Sequence, residues 1–212
     1  MDFWGRLDGI RERWNVLHHP FYERWSRGEL TREQLAFYAE QYRYAVVALA
    51  RACEAACRVA PDLALWDELE THAAEERRHV ELWDDFVEAV GGDRHAAPTS
   101  RTEVCVDVWA PPRDRPFLRV LAALYVIEAA QPAISVAKAE ALARFYGVAD
   151  RRALAYFEVH ERLDVKHAEH SRASLALHLV PEKEDAVLAE AERALRANWL
   201  LLDGVEARAV AA

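Results

Sequence analysis

FEVHERLDVKH, residues 157–167, places His160, Asp164 and His167 four and three positions apart. At about 100° of rotation per helical residue the three fall within about 60° of one another, so two imidazoles and a carboxylate project from one helix face. Phe157 and Leu163 share that face, which is therefore part apolar and part ligand, as an inward-facing metal site in a helical bundle requires.

Outward from this run the same three-and-four spacing of apolar residues recurs along almost the whole chain, and no alternating strand pattern appears, so the expected fold is all-α. Seven glycines and eight prolines in 212 residues, with 52% hydrophobic content, speak for a single soluble helical domain over 1–212 rather than a many-turned β-sandwich. A first helix is predicted over 2–17, stopped by Pro20, and a short one over 21–27, closed by Gly28. Thr31 with Gln34 forms a capping box for a helix reaching Val59. Further helices are predicted over 63–90, ended by Gly91-Gly92, and over 102–109. An apolar helix over 116–147 should kink at Pro132, and Asp150 caps one running to Leu179. The last covers 184–202, and the tail 203–212 is expected to fray.

The net charge of −9 repels phosphate backbones and anionic lipid, which excludes nucleic acid as a partner. No apolar run of about 20 residues and no signal-peptide pattern are evident, so no membrane role and a cytoplasmic location are expected. Three cysteines make no disulfide framework. Cys53 and Cys57 read as small core residues, since a zinc site would need two further ligands nearby and none is evident.

Two more stretches carry ionisable groups where a bundle should be apolar. Glu76 and His79 form a Glu-x-x-His pair that sets carboxylate and imidazole on one side of a helix, with Glu75 and His72 as alternatives. Glu128 lies in VLAALYVIEAAQPAISVA with no base between Arg119 and Lys138, so a metal or a distant cation is its expected partner. Glu76, His79, Glu128, His160, Asp164 and His167 together supply oxygen and nitrogen ligands, which suit iron or manganese. Six ligands are enough for two metals sharing a bridging carboxylate. Glu161 and Glu169 are candidates for orienting the histidines.

The chain also resembles a known group. His19-Pro20-Phe21-Tyr22 with Trp25, Gly28-Glu29-Leu30-Thr31 and Gln34-Leu35 resemble the opening of the heme-oxygenase-like and thiaminase-II-like families. His79-Val80-Glu81-Leu82-Trp83, Glu128 before Gln131-Pro132, Phe145-Tyr146-Gly147 and the His160/Asp164/His167 run are similar to the heme-oxygenase-like di-iron oxidases and oxygenases. The branch most similar holds the Chlamydia protein associating with death domains, and the resemblance covers about residues 15 to 175. It implies a seven-helix, homodimeric bundle whose two irons, supplied with O2 and an external reductant, oxidise a small organic substrate: an amine, an amino acid or a fatty-acid-like molecule. Para-aminobenzoate-forming members carry a lysine ten residues after the middle-helix glutamate, matched here by Lys138, and consume a tyrosine of their own, for which Tyr22 and Tyr38 are the positional matches. Some relatives place a glutamate seven residues before the first-helix histidine, where this chain has His72.

Leu124, Val126, Ile127 and Ile134 are expected around the cavity, with Tyr22, Gln41, Tyr42, Tyr125, Gln131 and Lys138 as polar recognition groups. Three other readings remain. A metal-free thiaminase-II-like hydrolase needs a thiolate beside an acid, and the cysteines at 53, 57 and 105 are not expected beside Glu128. Haem degradation would ask His18 or His19 to ligate haem. A non-enzymatic interaction scaffold would turn the His/Asp stripe to solvent.

Overall fold

Side-chain caps and proline set most of the element boundaries. The computed structural model describes residues 2–112 and 114–211, with side chains as far as Arg208, and is all-α. α1 (Phe3–Arg13) is shorter than expected, because the Asn15 side chain accepts from Leu17 N and turns the chain into a single 3-10 turn, Val16–His18. α2 (Pro20–Arg27) ends at Gly28 with φ +72°; a Cβ there would lie 2.6 Å from Phe145 Cγ, so only glycine allows this approach. The Thr31/Gln34 capping box opens α3 (Arg32–Arg58), and Asp62 caps α4 (Leu63–Val90). α5 (Ser100–Trp109) follows the 91–99 loop.

The stretch expected to kink at Pro132 is instead broken into α6 (Phe117–Glu128) and α7 (Gln131–Phe145). Proline has no N–H for the carbonyl four residues back, that of Glu128, so the helix stops there. Arg11 reaches across to the Ala129 carbonyl, inside the break, at 3.3 Å. By length and hydropathy the 117–145 stretch could cross a bilayer, contrary to the sequence expectation, but most of it is buried within the bundle. α8 (Arg151–His178) is capped by Asp150. After the 3-10 turn Pro181–Lys183, α9 (Glu184–Ala211) runs well past Leu202. The tail is thus helix rather than frayed through Ala211, because Val205 is buried, Asp203 bonds His19 and Glu206 pairs with Arg24; Ala212 lies outside the described residues.

Among the described residues there are nine α-helices and two 3-10 turns where the resemblance implies seven helices. α3 and α4 form a hairpin, α8 packs on α4, α6 and α7, and α9 packs on α1, α5 and α6. Trp83 on α4 is fully buried and donates to Ala39 O on α3 at 2.8 Å. Burying roughly 150–250 Å² of indole stabilises by about 4–6 kcal/mol of transfer free energy at ~25 cal/mol/Å². The space between α3, α4, α6 and α8 holds the polar groups described next.

Candidate metal centre

His72, Glu76 and His79 on α4 have the spacing of His160, Asp164 and His167 on α8: imidazole, carboxylate four on, imidazole three further. The two triplets face each other in opposite order. The rings of His72 and His167 stack at 3.8 Å, and those of His79 and His160 lie 4.4 Å apart. Glu128, the last residue of α6, closes one side, with its Oε1 3.0 Å from His72 Nε2.

All six residues singled out from the sequence are brought together and buried; Glu76, Glu128, His160 and Asp164 are 0% exposed. Glu76 Oε2, Glu128 Oε1, His160 Nε2, both Asp164 oxygens and His167 Nδ1 are buried without a hydrogen-bond partner. Orphaned groups of this kind cost about 1–3 kcal/mol each, and more when charged, unless something binds them. The residues therefore fit a metal. Two groupings have ligand atoms within 4.8 Å of one another, Glu76/His79/His160 and His72/Glu76/His167. Glu76 belongs to both, so Glu76 rather than Glu128 has the position of a bridging carboxylate.

The other ring nitrogens are held from outside. His160 Nδ1 donates to Tyr156 O at 2.7 Å and His167 Nε2 to Glu75 Oε2 at 2.9 Å, which leaves the opposite nitrogen of each bare toward the site. Glu75 is thus an orienting carboxylate. Glu161 and Glu169, expected in that role, are exposed, because both fall on the solvent face of α8. Burial raises the Asp164 pKa, while for Glu76 the neighbouring His160 and His79 imidazoles outweigh burial and lower it.

A third grouping was not legible in the sequence: Cys53 on α3, with His72 and Glu128. Its Sγ lies 3.7 Å from His72 Nε2, and burial pushes the thiol up to about 12. Cys53 does sit beside Glu128, which corrects the expectation that it is plain core. It does not make the hydrolase reading, since thiol and carboxylate both meet the same His72 nitrogen and no relay from one to the other exists. His19 is likewise occupied at both nitrogens, accepting from Phe21 N and bonding Asp203, which leaves none for haem.

Behind the metal-type cluster lies a second buried group. Lys138 Nζ, on α7, donates to Tyr38 OH at 2.6 Å, and Tyr38 OH is 2.8 Å from Tyr22 OH. The rings of Tyr22, Tyr38, Tyr42, Trp83 and Phe157 surround the amine at 4.7 to 5.8 Å. Burial alone holds the Lys138 pKa well below the ordinary lysine value, and it raises those of Tyr22 and Tyr38. Tyr156 joins the two groups, stacked on His160 at 3.9 Å and edge-on to Trp83 at 4.6 Å.

Of the other expected recognition groups, Gln131 donates to Tyr42 OH at 3.4 Å. Gln41 is a strut instead, tied to Ala97 O, Thr99 N and Thr102 Oγ1, and Tyr125 is bonded to Arg172. Val126, Ile127 and Ile134 line a separate cleft of about 300 Å³ beside α1. A cleft of about 250 Å³ lined by Leu69, Leu121, Ser171 and Lys166 opens onto His72 and His167.

Known proteins agree with this picture. Residues 30–199 match a family described as iron-containing redox enzymes. The chain is 33% identical to the 4-aminobenzoate synthase of Nitrosomonas europaea, covering 94% of this chain and 89% of that one, and 30% identical to that of Chlamydia muridarum, covering 96% and 89%. Among solved structures, a heme-oxygenase-like domain of unknown function from Shewanella denitrificans aligns with TM-score 0.81 at 20% identity, covering 98% of this chain and 93% of that one. A TenA homologue of P. horikoshii gives 0.78 at 17%, covering 97% and 98%. With a heme-oxygenase-like fold, a buried carboxylate and imidazole cluster and a family match over most of its length, this chain belongs to the iron-containing redox enzymes.

Proposed function

We propose that the chain is an O2-dependent di-iron oxidase that forms 4-aminobenzoate from its own Tyr22. The observation that carries this reading is the buried Lys138–Tyr38–Tyr22 hydrogen-bonded chain set behind a cluster of unpaired carboxylates and imidazoles. Glu76, His79 and His160 would hold one ion, and His72, Glu128 and His167 the other, with Glu76 common to both and Asp164 beside His167. Iron, or manganese in one position, supplies O2 binding and the redox equivalents that side chains lack.

The product needs a para-substituted ring, a one-carbon carboxyl arm and a nitrogen. The Tyr22 side chain carries the ring and the arm, and Lys138 offers an amine whose pKa burial lowers well below the ordinary lysine value. Release breaks the Tyr22 Cα–Cβ bond and takes Cβ to the carboxylate level, while the ring exchanges its phenol oxygen, lost as water, for the Lys138 nitrogen, the Cε–Nζ bond breaking to leave Cε as an aldehyde. O2 is the oxidant, and an external electron donor completes its reduction. Tyr38 fixes both partners, holding the Lys138 amine and the Tyr22 hydroxyl on one oxygen. Trp83, Phe157 and Tyr156 keep water from the reacting groups.

The test is isotopic. Protein made with ring- and Cβ-labelled tyrosine, loaded with ferrous iron and exposed to O2 with a reductant, should release labelled 4-aminobenzoate, no more than one per chain, and lose the side chain at position 22. Tyr22→Phe should bind the same iron and release none. Unlabelled product, or many turnovers on an added substrate, would overturn self-consumption and leave an oxidase of an external small molecule.

A further inference from the structure

We propose that Cys53 is a thiolate ligand of the second metal position, so that the two positions of the centre are chemically unequal; this rests on the metal-centre reading above. Cys53 Sγ, His72 Nε2 and Glu128 Oε1 lie within 4.8 Å of one another on three different helices. Glu128 is 0% exposed, and its Oε1 has no hydrogen-bond donor although His72 Nε2 is only 3.0 Å away. His72 Nε2 and Glu128 Oε1 are thus two potential metal donors set side by side with no hydrogen bond between them. Cys53 meets the same His72 nitrogen at 3.7 Å, which makes sulfur a third donor converging there.

The charge count asks for that donor. Two divalent ions bring four positive charges into the bundle, and Glu76, Asp164 and Glu128 return three. Histidine at position 72 adds none. Glu75 is outside the cluster with its side chain a third exposed, so solvent screens it. An uncompensated charge in a dry interior is costly, and the Cys53 thiolate brings the sum to zero. The Glu76/His79/His160 position has only oxygen and nitrogen donors. The thiolate position should accept softer divalent ions more readily. Binding there breaks the S–H bond, and its proton goes to the medium.

Cobalt(II) titration of the metal-free protein reads this directly, independent of catalysis. Two equivalents should bind, with a near-ultraviolet sulfur-to-cobalt absorption tied to one of them and one thiol proton released to buffer. Cys53→Ser should lose that absorption and bind one equivalent ~10–100-fold more weakly, at least the cost of losing an outer-shell partner. Cys105→Ser, outside all three groupings, should behave as the parent. Two equivalents without sulfur absorption, or Cys53→Ser matching the parent, would overturn thiolate ligation and leave the di-metal centre standing. Fewer than two equivalents in the parent would overturn the paired centre itself.

Discussion

Glu128 and Glu190 are both glutamates buried almost completely among helices, at 0% and 1% exposure, and their surroundings are opposite. Glu190, on α9, is met by Arg115 at 2.7 Å, by Arg119 at 3.2 Å and by Arg193. Glu128 is met by no arginine or lysine among the described residues: His72 lies at 3.0 Å and Ser171 Oγ at 3.5 Å, with Cys53 nearby. A carboxylate that the protein itself has paired is architecture. One left unpaired at the same depth is waiting for a cation from outside, and burial alone does not tell the two apart.

Exchanging each acid for its amide should separate them, and this is the largest effect expected. Glu190→Gln should destabilise by about 2–3 kcal/mol in urea unfolding, below the roughly 3–5 of a fully buried pair because Arg119 and Arg193 can turn to water. Its iron content should hold. Glu128→Gln should leave the metal-free protein within about 1 kcal/mol of the parent, since the amide is cheaper to bury than the lone charge. It should lose one of two ions and most product. A Glu128→Gln variant as unstable as Glu190→Gln would break the comparison.

Lys138 extends the contrast to a base, whose pKa burial lowers well below the ordinary lysine value. The folded amine has a pKa below its unfolded value, so between the two the unfolded chain binds more protons and stability rises with pH. The slope from this one group is about 1.4 kcal/mol per pH unit. Lys138→Met should therefore show an advantage over the parent that shrinks as pH rises and vanishes only near the unfolded lysine pKa of about 10.4, read from unfolding at each pH. A pH-independent difference would mean that the buried lysine keeps its charge. The smallest effect belongs to Glu75→Ala, which frees His167 from its outer carboxylate. Affinity at the second metal position should fall ~10-fold with stability nearly unchanged, measured by metal titration.

What the sequence made legible follows from how far apart the cooperating residues lie. Caps are local, so Thr31, Asp62 and Asp150 were readable as helix starts. His160, Asp164 and His167 lie on one helix, and three residues suffice to see their common face. The same spacing at His72, Glu76 and His79 was available as a signal, but with Glu76, Glu75 and His72 taken as rivals for one role the copy went unread. Cys53 comes from another helix and carries no local sign at all. The break at 129–130 was taken for a kink, because the apolar pattern continues across it and the carbonyl that Pro132 strands belongs to Glu128. Gln41 and Tyr125 were misplaced because a buried polar residue looks the same in sequence whether it binds a ligand or braces a loop.

The far end of α9 bears on how this protein can be handled. Asp203 holds His19, the residue that caps α2, and Glu206 holds Arg24 two positions past Phe21-Tyr22. Neither touches the metal-type cluster. Trimming the chain after Leu202 would therefore leave ion binding intact while loosening the helix that carries Tyr22. A shortened protein would then look fully loaded on the bench and still fail in the chemistry proposed for Tyr22.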